Sequence, residues 1–225
     1  MPILASFGAL KRTPAQSRQN YSADFNNASY CGFSSSGLSP GTSNFSVEFF
    51  INMTAAPPSG GVGVVVDFGY TTLTSGMRIT VSDLLWVDAR ITTSTTTYFL
   101  SSFAPILTIG TWYYVAVSRV SGSTKLFVNT AQQSSQNITS SLSFPSNRFG
   151  AGVNALTTSY LNGRVASFRY NIGSGFTSAT VPTAPLVITA QTKILTFQTP
   201  TIINEVGSAS PTSNTGVTVS QTGPF

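Results

Sequence analysis

The sequence contains no histidine and a single cysteine, Cys31. Without histidine there is no imidazole general base, no Ser-His-Asp triad and no His-ligated zinc. One cysteine excludes an internal disulfide and a Cys-based metal cluster. Charge is scarce as well. Lys and Arg number 11 and Asp and Glu 6, together 8% of 225 residues, against about a quarter in an ordinary soluble domain. Six carboxylates leave little material for acid–base chemistry or a calcium site. No apolar run approaches the roughly 18 residues of a membrane helix; residues 62–68, broken only by Asp67, have the size of a strand. The opening MPILASFGALKR places its charge after a short apolar stretch. That is the reverse of a secretory signal, so none is expected. Net charge is +5, but it comes from scarce acids and not from basic clusters. Lys11 and Arg12, with Arg18 nearby, are the only local concentration. Nucleic-acid binding, which needs several clustered cations, is not expected.

Hydroxyl and aromatic side chains are plentiful. Ser (33) and Thr (31) exceed a quarter of the chain, with 16 Phe, 8 Tyr and 2 Trp. A hydrophobic fraction of 41% argues against disorder, which goes with low hydrophobicity and high net charge. A chain of this length buries roughly 70–75% of its unfolded surface. The pattern is β throughout: residues 45–53, 61–68, 77–81, 84–91, 112–120, 125–129, 161–170, 192–198 and 215–219 are rich in Val, Ile, Thr, Tyr and Phe. None shows a sustained 3.6-residue apolar period. Ser121-Gly122-Ser123 between two such runs predicts a hairpin. Residues 1–20 lack alternation and are expected to be an arm, ahead of one β-sandwich over 21–225. Pro182 and Pro185 make residues 171–191 an extended crossing segment. Residues 199–215 are expected to be a surface loop.

The order of motifs resembles concanavalin A-like, LamG-type domains. The carriers are SADFNNASY at 22–30, NFSVEFFI at 44–51, TWYYVAVSR at 111–119, KLFVN at 125–129, FGAG at 149–152 and YLNGRVASFR at 160–169. Tyr114 and Thr130 depart from the usual His and Gly of that pattern. The tail, with Phe176-Thr177, VPTAPL at 181–186, KILTFQ at 193–198 and the terminal GPF, is similar to the ending of LamG-like virion proteins of tailed phages. The resemblance implies an all-β, two-sheet antiparallel jelly-roll sandwich. It further implies a non-enzymatic structural protein on the virion surface, either a capsid decoration or a tail accessory protein. Its expected partners are other virion proteins, further copies of itself and, weakly, a host glycan. The alternative is a tail-tip receptor-binding lectin for host surface polysaccharide. Lys11, Arg12 and Arg18 on the arm are the candidate anchors to a virion partner.

The fold also includes retaining glucanases, whose two carboxyl groups lie about 5–5.5 Å apart. No local pair meets that need. Glu48 has no acidic neighbour within ten residues, Asp67 stands alone, and Asp83 and Asp88, five apart, point to opposite faces of an extended strand. No enzyme activity, cofactor or metal site is expected. Sugar contact remains. In residues 84–91 one parity holds Leu85, Val87, Ala89 and Ile91, and the other holds Trp86, Asp88 and Arg90. If the first faces the core, Trp86 lies outward with Asp88 and Arg90. It is then either a sugar platform or a ring covered by a loop, the arm or a neighbouring protein. Trp112 is read as core, Arg119 and Arg169 as satisfied surface groups or inter-strand hydrogen bonders, Gly163 as a turn or close approach, and Cys31 as a buried inert thiol.

Overall fold

Alternating apolar residues give a strand one buried face, and strands are the only regular elements among the described residues. The computed structural model describes residues 20–26, 28–70, 75–152, 159–207 and 210–225. Lys11, Arg12 and Arg18 lie outside them. In chain order the strands are β1 (Ser22–Phe25), β2 (Tyr30–Gly32), β3 (Phe45–Met53), β4 (Val62–Asp67), β5 (Gly76–Ser82), β6 (Val87–Thr92), β7 (Thr97–Ser101), β8 (Trp112–Val120), β9 (Ser123–Val128), β10 (Ala131–Asn137), β11 (Arg148–Phe149), β12 (Gly163–Ile172), β13 (Thr192–Thr196), β14 (Ser213–Thr215) and β15 (Thr218–Ser220). The first sheet runs β10-β9-β8-β3-β12-β1-β15, with β13 also paired to β12, and the second runs β14-β2-β11-β4-β5-β6-β7. Their pairings are antiparallel. The two sheets form the expected jelly-roll sandwich.

The core between the sheets is aromatic. Phe49 stacks on Phe168, Phe149 meets Phe168 edge-on, and Phe68 stacks on Phe144. Strands β3 and β8 occupy the residues expected of them. The β8–β9 loop is shorter than expected, since Val120 pairs with Ser123. Ser121 (φ 49°) and Gly122 (φ 85°) form the turn, and two left-handed residues are what a two-residue hairpin on twisted strands requires. Gly163 is a close approach: a Cβ there would stand 2.7 Å from the Asn52 carbonyl oxygen.

Several expectations change. The strand placed at 84–91 begins only at Val87, because the chain turns at Asp83 and Leu84 and Leu85 takes a φ of 62°. Residues 213–220 are two short strands in different sheets, with Gly216 (φ 66°) between them, so the chain crosses from one sheet to the other there. Trp112 is not in the central core. Val115 and Val117 face inward on β8, so Trp112, Tyr114 and Ala116 face outward into a second apolar cluster with Phe50, Phe127 and Ala166. Residues 173–191 cross that face as an extended segment, and Phe176, Ala179 and Val181 cover the cluster. Phe225 adds its ring to Phe50 at 5.0 Å. Arg119 shares the inward parity of Val117 and is buried, not superficial.

Cys31 is fully buried beside the β11 pairing, and burial pushes its thiol well above the ordinary cysteine range. A thiolate is the reactive form. Alkylation of the native protein at pH 8 is therefore expected to run at least about 100-fold slower than in denaturant, as followed by mass increase with iodoacetamide. Equal rates would mean that the second sheet opens readily at β2.

Candidate functional site

The two outer faces of the sandwich differ in how fully their polar groups are committed. Outside the first sheet, Glu48 on β3 lies opposite Arg169 on β12. Arg169 Nε and Nη2 donate to Glu48 Oε1 at 3.0 and 2.8 Å, and Tyr114 Oη donates to Glu48 Oε2 at 2.7 Å. Arg169 Nη1 donates to the Val187 carbonyl at 2.9 Å. Burial and the neighbouring carboxylate push the Tyr114 phenol upward. This cluster borders a cavity of about 250 Å³ lined also by Phe176, Ala179 and Leu186. Its ionic groups already satisfy one another. The inter-strand reading of Arg169 holds.

On the second sheet the outward side chains form rows across the strands. The registers align Arg148 with Asp67, Asp67 with Arg78, Arg78 with Arg90, and Arg90 with Phe99. The next row holds Thr80, Asp88 and Ser101. Asp67 is fully buried. Its Oδ2 accepts from Arg78 Nε at 2.9 Å and Nη2 at 2.7 Å, and its Oδ1 accepts from the Tyr70 amide at 2.7 Å. Each arginine of the row also lies over an aromatic ring: Arg148 over Tyr30 at 4.6 Å, Arg78 over Tyr70 at 4.9 Å and Arg90 over Phe99 at 5.4 Å.

Strand β6 carries Asp88 and Arg90 of the sequence-predicted trio, and Trp86 stands immediately before it. Val87, Ala89 and Ile91 are buried in the core, so Asp88 and Arg90 face outward, each half-buried. Trp86 stands between Leu85 and Val87, which pack inward, and so shares the outward side. Its backbone is fixed by a hydrogen bond to Ser82 in each direction: the Trp86 amide donates to Ser82 Oγ at 3.1 Å and its carbonyl accepts the Ser82 amide at 3.0 Å. The ring is half-buried, and its Nε1 is buried with no partner. Arg90 Nε and Thr80 Oγ1 are also buried and unpartnered.

The remaining ionic groups set this strand apart. Among the described residues Arg78, Arg164 and Arg169 pair with carboxylates. Arg119 and Arg148 donate to carbonyls. Arg90 has no acceptor among the described residues. Of the carboxylates, Asp24 pairs with Arg164 and Asp83 accepts the Gly60 amide at 2.7 Å, Glu48 and Asp67 are held as above, and Glu205 is not free either. Among the described residues Asp88 has no hydrogen-bond or ion-pair partner, not even Arg90 two residues along. One uncommitted acid and one uncommitted base therefore stand on the same face. Among the described residues no three His, Cys, Asp or Glu side chains gather to hold a metal.

Sequence reasoning does not find Arg78, Thr80 and Phe99 as members of this surface. Arg78 shows outward parity within its strand, but only the β5–β6 register sets it beside Arg90. Phe99 follows a Thr-rich stretch that hides the start of β7, and it is 52% exposed.

Residues 25–171, well over half of the chain, match the family model described as the concanavalin A-like lectin/glucanases superfamily. No curated protein matches the sequence. Among solved structures, a Bacteroides ovatus protein provisionally described as carbohydrate-binding is similar with a TM-score of 0.67 at 15% identity, over 90% of this chain and 60% of that one. Domains LG4-5 of the mouse laminin α1 chain align with a TM-score of 0.56 at 12% identity, over 73% of this chain and 47% of theirs. The heptameric SAP-like pentraxin of Limulus polyphemus gives 0.51 at 13% identity, over 71% and 78%. At these identities the likeness is one of fold, and the chain spans about 60% and about half of the first two relatives.

Proposed function

The chain belongs to the concanavalin A-like lectin/glucanase superfamily, and from that premise we propose that it is a non-enzymatic, glycan-contacting module on the surface of a phage particle. The observation that carries the glycan reading is the outer face of β6 and the turn before it, where Trp86, Asp88 and Arg90 stand together and neither the acid nor the base has a partner among the described residues. These are the groups that a saccharide needs. An aromatic face covers its C–H surface, a carboxylate accepts its hydroxyl protons, and a guanidinium donates to its oxygens. On the first sheet the segment at 173–191 covers the outer aromatic cluster, and Glu48 and Arg169 beside it are bound to each other. The fold of the Bacteroides ovatus relative is in keeping with this reading.

The non-enzymatic part rests on the carboxylates. Hydrolysis needs two facing acids, and Glu48 and Asp67 are each tied to an arginine on opposite sheets. The virion setting rests on the ordered motifs and the phage-like tail. The tail ends with the Phe225 amide donating to Asn20 Oδ1 at 2.7 Å and Asn20 Nδ2 donating to the Phe225 carbonyl. Residues before Asn20, with Lys11, Arg12 and Arg18, would dock onto capsid or tail proteins, and many copies would turn weak glycan contacts into avidity.

Binding to a panel of bacterial polysaccharides tests the glycan reading. Trp86→Ala is expected to weaken the best ligand about tenfold, the usual scale for a central tryptophan. An unchanged affinity would remove β6 from the site. Reconstruction of particles made with and without the protein tests the setting. Density lost from the capsid with infectivity kept marks a decoration protein. Density lost from the tail with adsorption lost marks the receptor-binding lectin instead. Identical particles would overturn the virion reading.

A further inference from the structure

We propose that the β6 face is specific for an anionic polysaccharide, one bearing carboxylate or sulfate groups, with Arg90 as its anion-binding residue. This inference rests on the glycan reading above and adds the substrate class. Three observations carry it.

The first is the unmet need of Arg90. A guanidinium has five N–H donors and is at its strongest toward a planar or tetrahedral oxyanion. Arg90 is half-buried, lies over the Phe99 ring and has no acceptor in the described protein. A half-buried charge without a counter-ion is unfavourable, and a bound anion would remove that cost. The nearest acid on the strand, Asp88, does not supply it.

The second is the row. Arg148, Arg78 and Arg90 are brought into one cross-strand row by the β11–β4–β5–β6 registers, with Asp67 as the only acid among them. Asp67 is fully buried, and its Oδ2 is taken up by Arg78. Three cations face one buried anion, so the row keeps a positive balance. Neighbouring strands are about 4.8 Å apart, which spreads the cations over roughly 14 Å between the Arg148 and Arg90 backbones. A repeating acidic chain has charges to meet such a row, whereas a neutral chain has none.

The third is the presence of aromatic surface within the charged row. Phe99 is 52% exposed beside Arg90, and half-buried Trp86 stands just before β6, two residues from Asp88. A simple anion would use the arginines and leave these rings idle. A sugar acid uses both, its ring against the aromatic carbons and its oxyanion against the guanidinium. Asp88 limits the choice further: it repels a continuous line of charge but accepts hydroxyl protons from a sugar next to the acidic one.

The test compares matched neutral and acidic polymers in 150 mM salt: dextran with dextran sulfate, and galactan with polygalacturonate. Arg90→Gln is the variant. Lys193→Gln, an exposed cation on β13 of the other sheet, removes the same charge elsewhere. Arg90→Lys keeps the charge and loses the planar fork. The expected result is binding to one or both acidic polymers in preference to its neutral partner. Arg90→Gln should lose about tenfold, Lys193→Gln less than about twofold, and Arg90→Lys should fall between them. An unchanged thermal midpoint for Arg90→Gln separates lost binding from lost folding. Equal losses for Arg90→Gln and Lys193→Gln would mean diffuse attraction to a basic protein and overturn the assignment. Binding of a neutral polymer that Trp86→Ala abolishes and Arg90→Gln leaves intact would overturn the anionic class while keeping the glycan reading. Binding to no polymer would overturn both.

Discussion

Replacing Arg119 with alanine is expected to destabilise the protein by about 3–5 kcal/mol. The side chain is 1% exposed and has no carboxylate. Its Nε donates to the Ser43 carbonyl at 3.1 Å, Nη1 to Ser140 at 3.2 Å, and Nη2 to Gly41 and Ser43 at 2.6 Å each. The Phe45 ring lies 5.0 Å away. Gly41 and Leu142 form a two-way backbone bridge between the same two segments. Arg119 therefore ties the entry to β3 and the segment after β10 to the end of β8. Hydrogen bonds from a charged donor contribute about 1.5–3 kcal/mol each, and the cavity left by truncation adds to their loss. Burying the cation opposes this, and burial also lowers its proton affinity. Total stability of a domain is about 5–15 kcal/mol, so the variant should unfold at clearly lower urea, with a melting point down by about 10 °C. Arg119→Met separates the two effects, since it fills the space without charge. If Arg119→Ala costs under about 1 kcal/mol, the carbonyls are served by water and the tie is not structural.

Stability is expected to collapse in alkali. Three buried acids hold their protons: Cys31, Tyr114 and Tyr170, each with its dissociation pushed upward mainly by burial. Tyr114 Oη also donates to Glu48, and Tyr170 Oη donates to the Leu38 carbonyl at 2.7 Å. In the unfolded chain the thiol ionises near pH 8.5 and the phenols near pH 10. Below those values both states hold the protons, and the stability is fully present. Above them the unfolded state has released protons that the folded state still binds, so stability falls as pH rises. Each group contributes a slope of about 1.4 kcal/mol per pH unit, or about 4 for the three together above pH 10. Urea midpoints measured from pH 6 to 11.5 should be flat to about pH 8.5 and then fall ever more steeply. The Tyr114→Phe, Tyr170→Phe double variant should retain only the thiol slope. A curve flat to pH 11 would mean that these groups ionise in place.

Most of the architecture is legible because strands have a local signature. The alternation in β3 and β8 marks both strands to the residue, since each carries its pattern over nine positions. Short strands lack the length for such a pattern. Strand β11 has two residues and β14 three, and both exist only through pairing with neighbours, β11 with β4 and β2 and β14 with β2. Polar β10 carries no apolar signal because none of its side chains is fully buried, and it is held as a strand by its ladder to β9. Trp112 and Arg119 depart from expectation for a shared reason. Residue type suggests that tryptophan belongs inside and arginine outside, but strand parity assigns the faces. The outer cluster and the carbonyls of Gly41, Ser43 and Ser140 then satisfy what parity imposes.

The sequence by itself determined the fold class, the scarcity of acids and the outward parity of Asp88 and Arg90, because composition and a period of two are local properties of the chain. Only the tertiary structure decided which charges remain free. Glu48 meets Arg169 across 121 positions and Asp24 meets Arg164 across 140. No local pattern sets such a register; it follows from sheet order and from the packing of two faces. The same assembly that neutralises those acids leaves Asp88 and Arg90 without partners, and so makes their face the place where a ligand is to be sought.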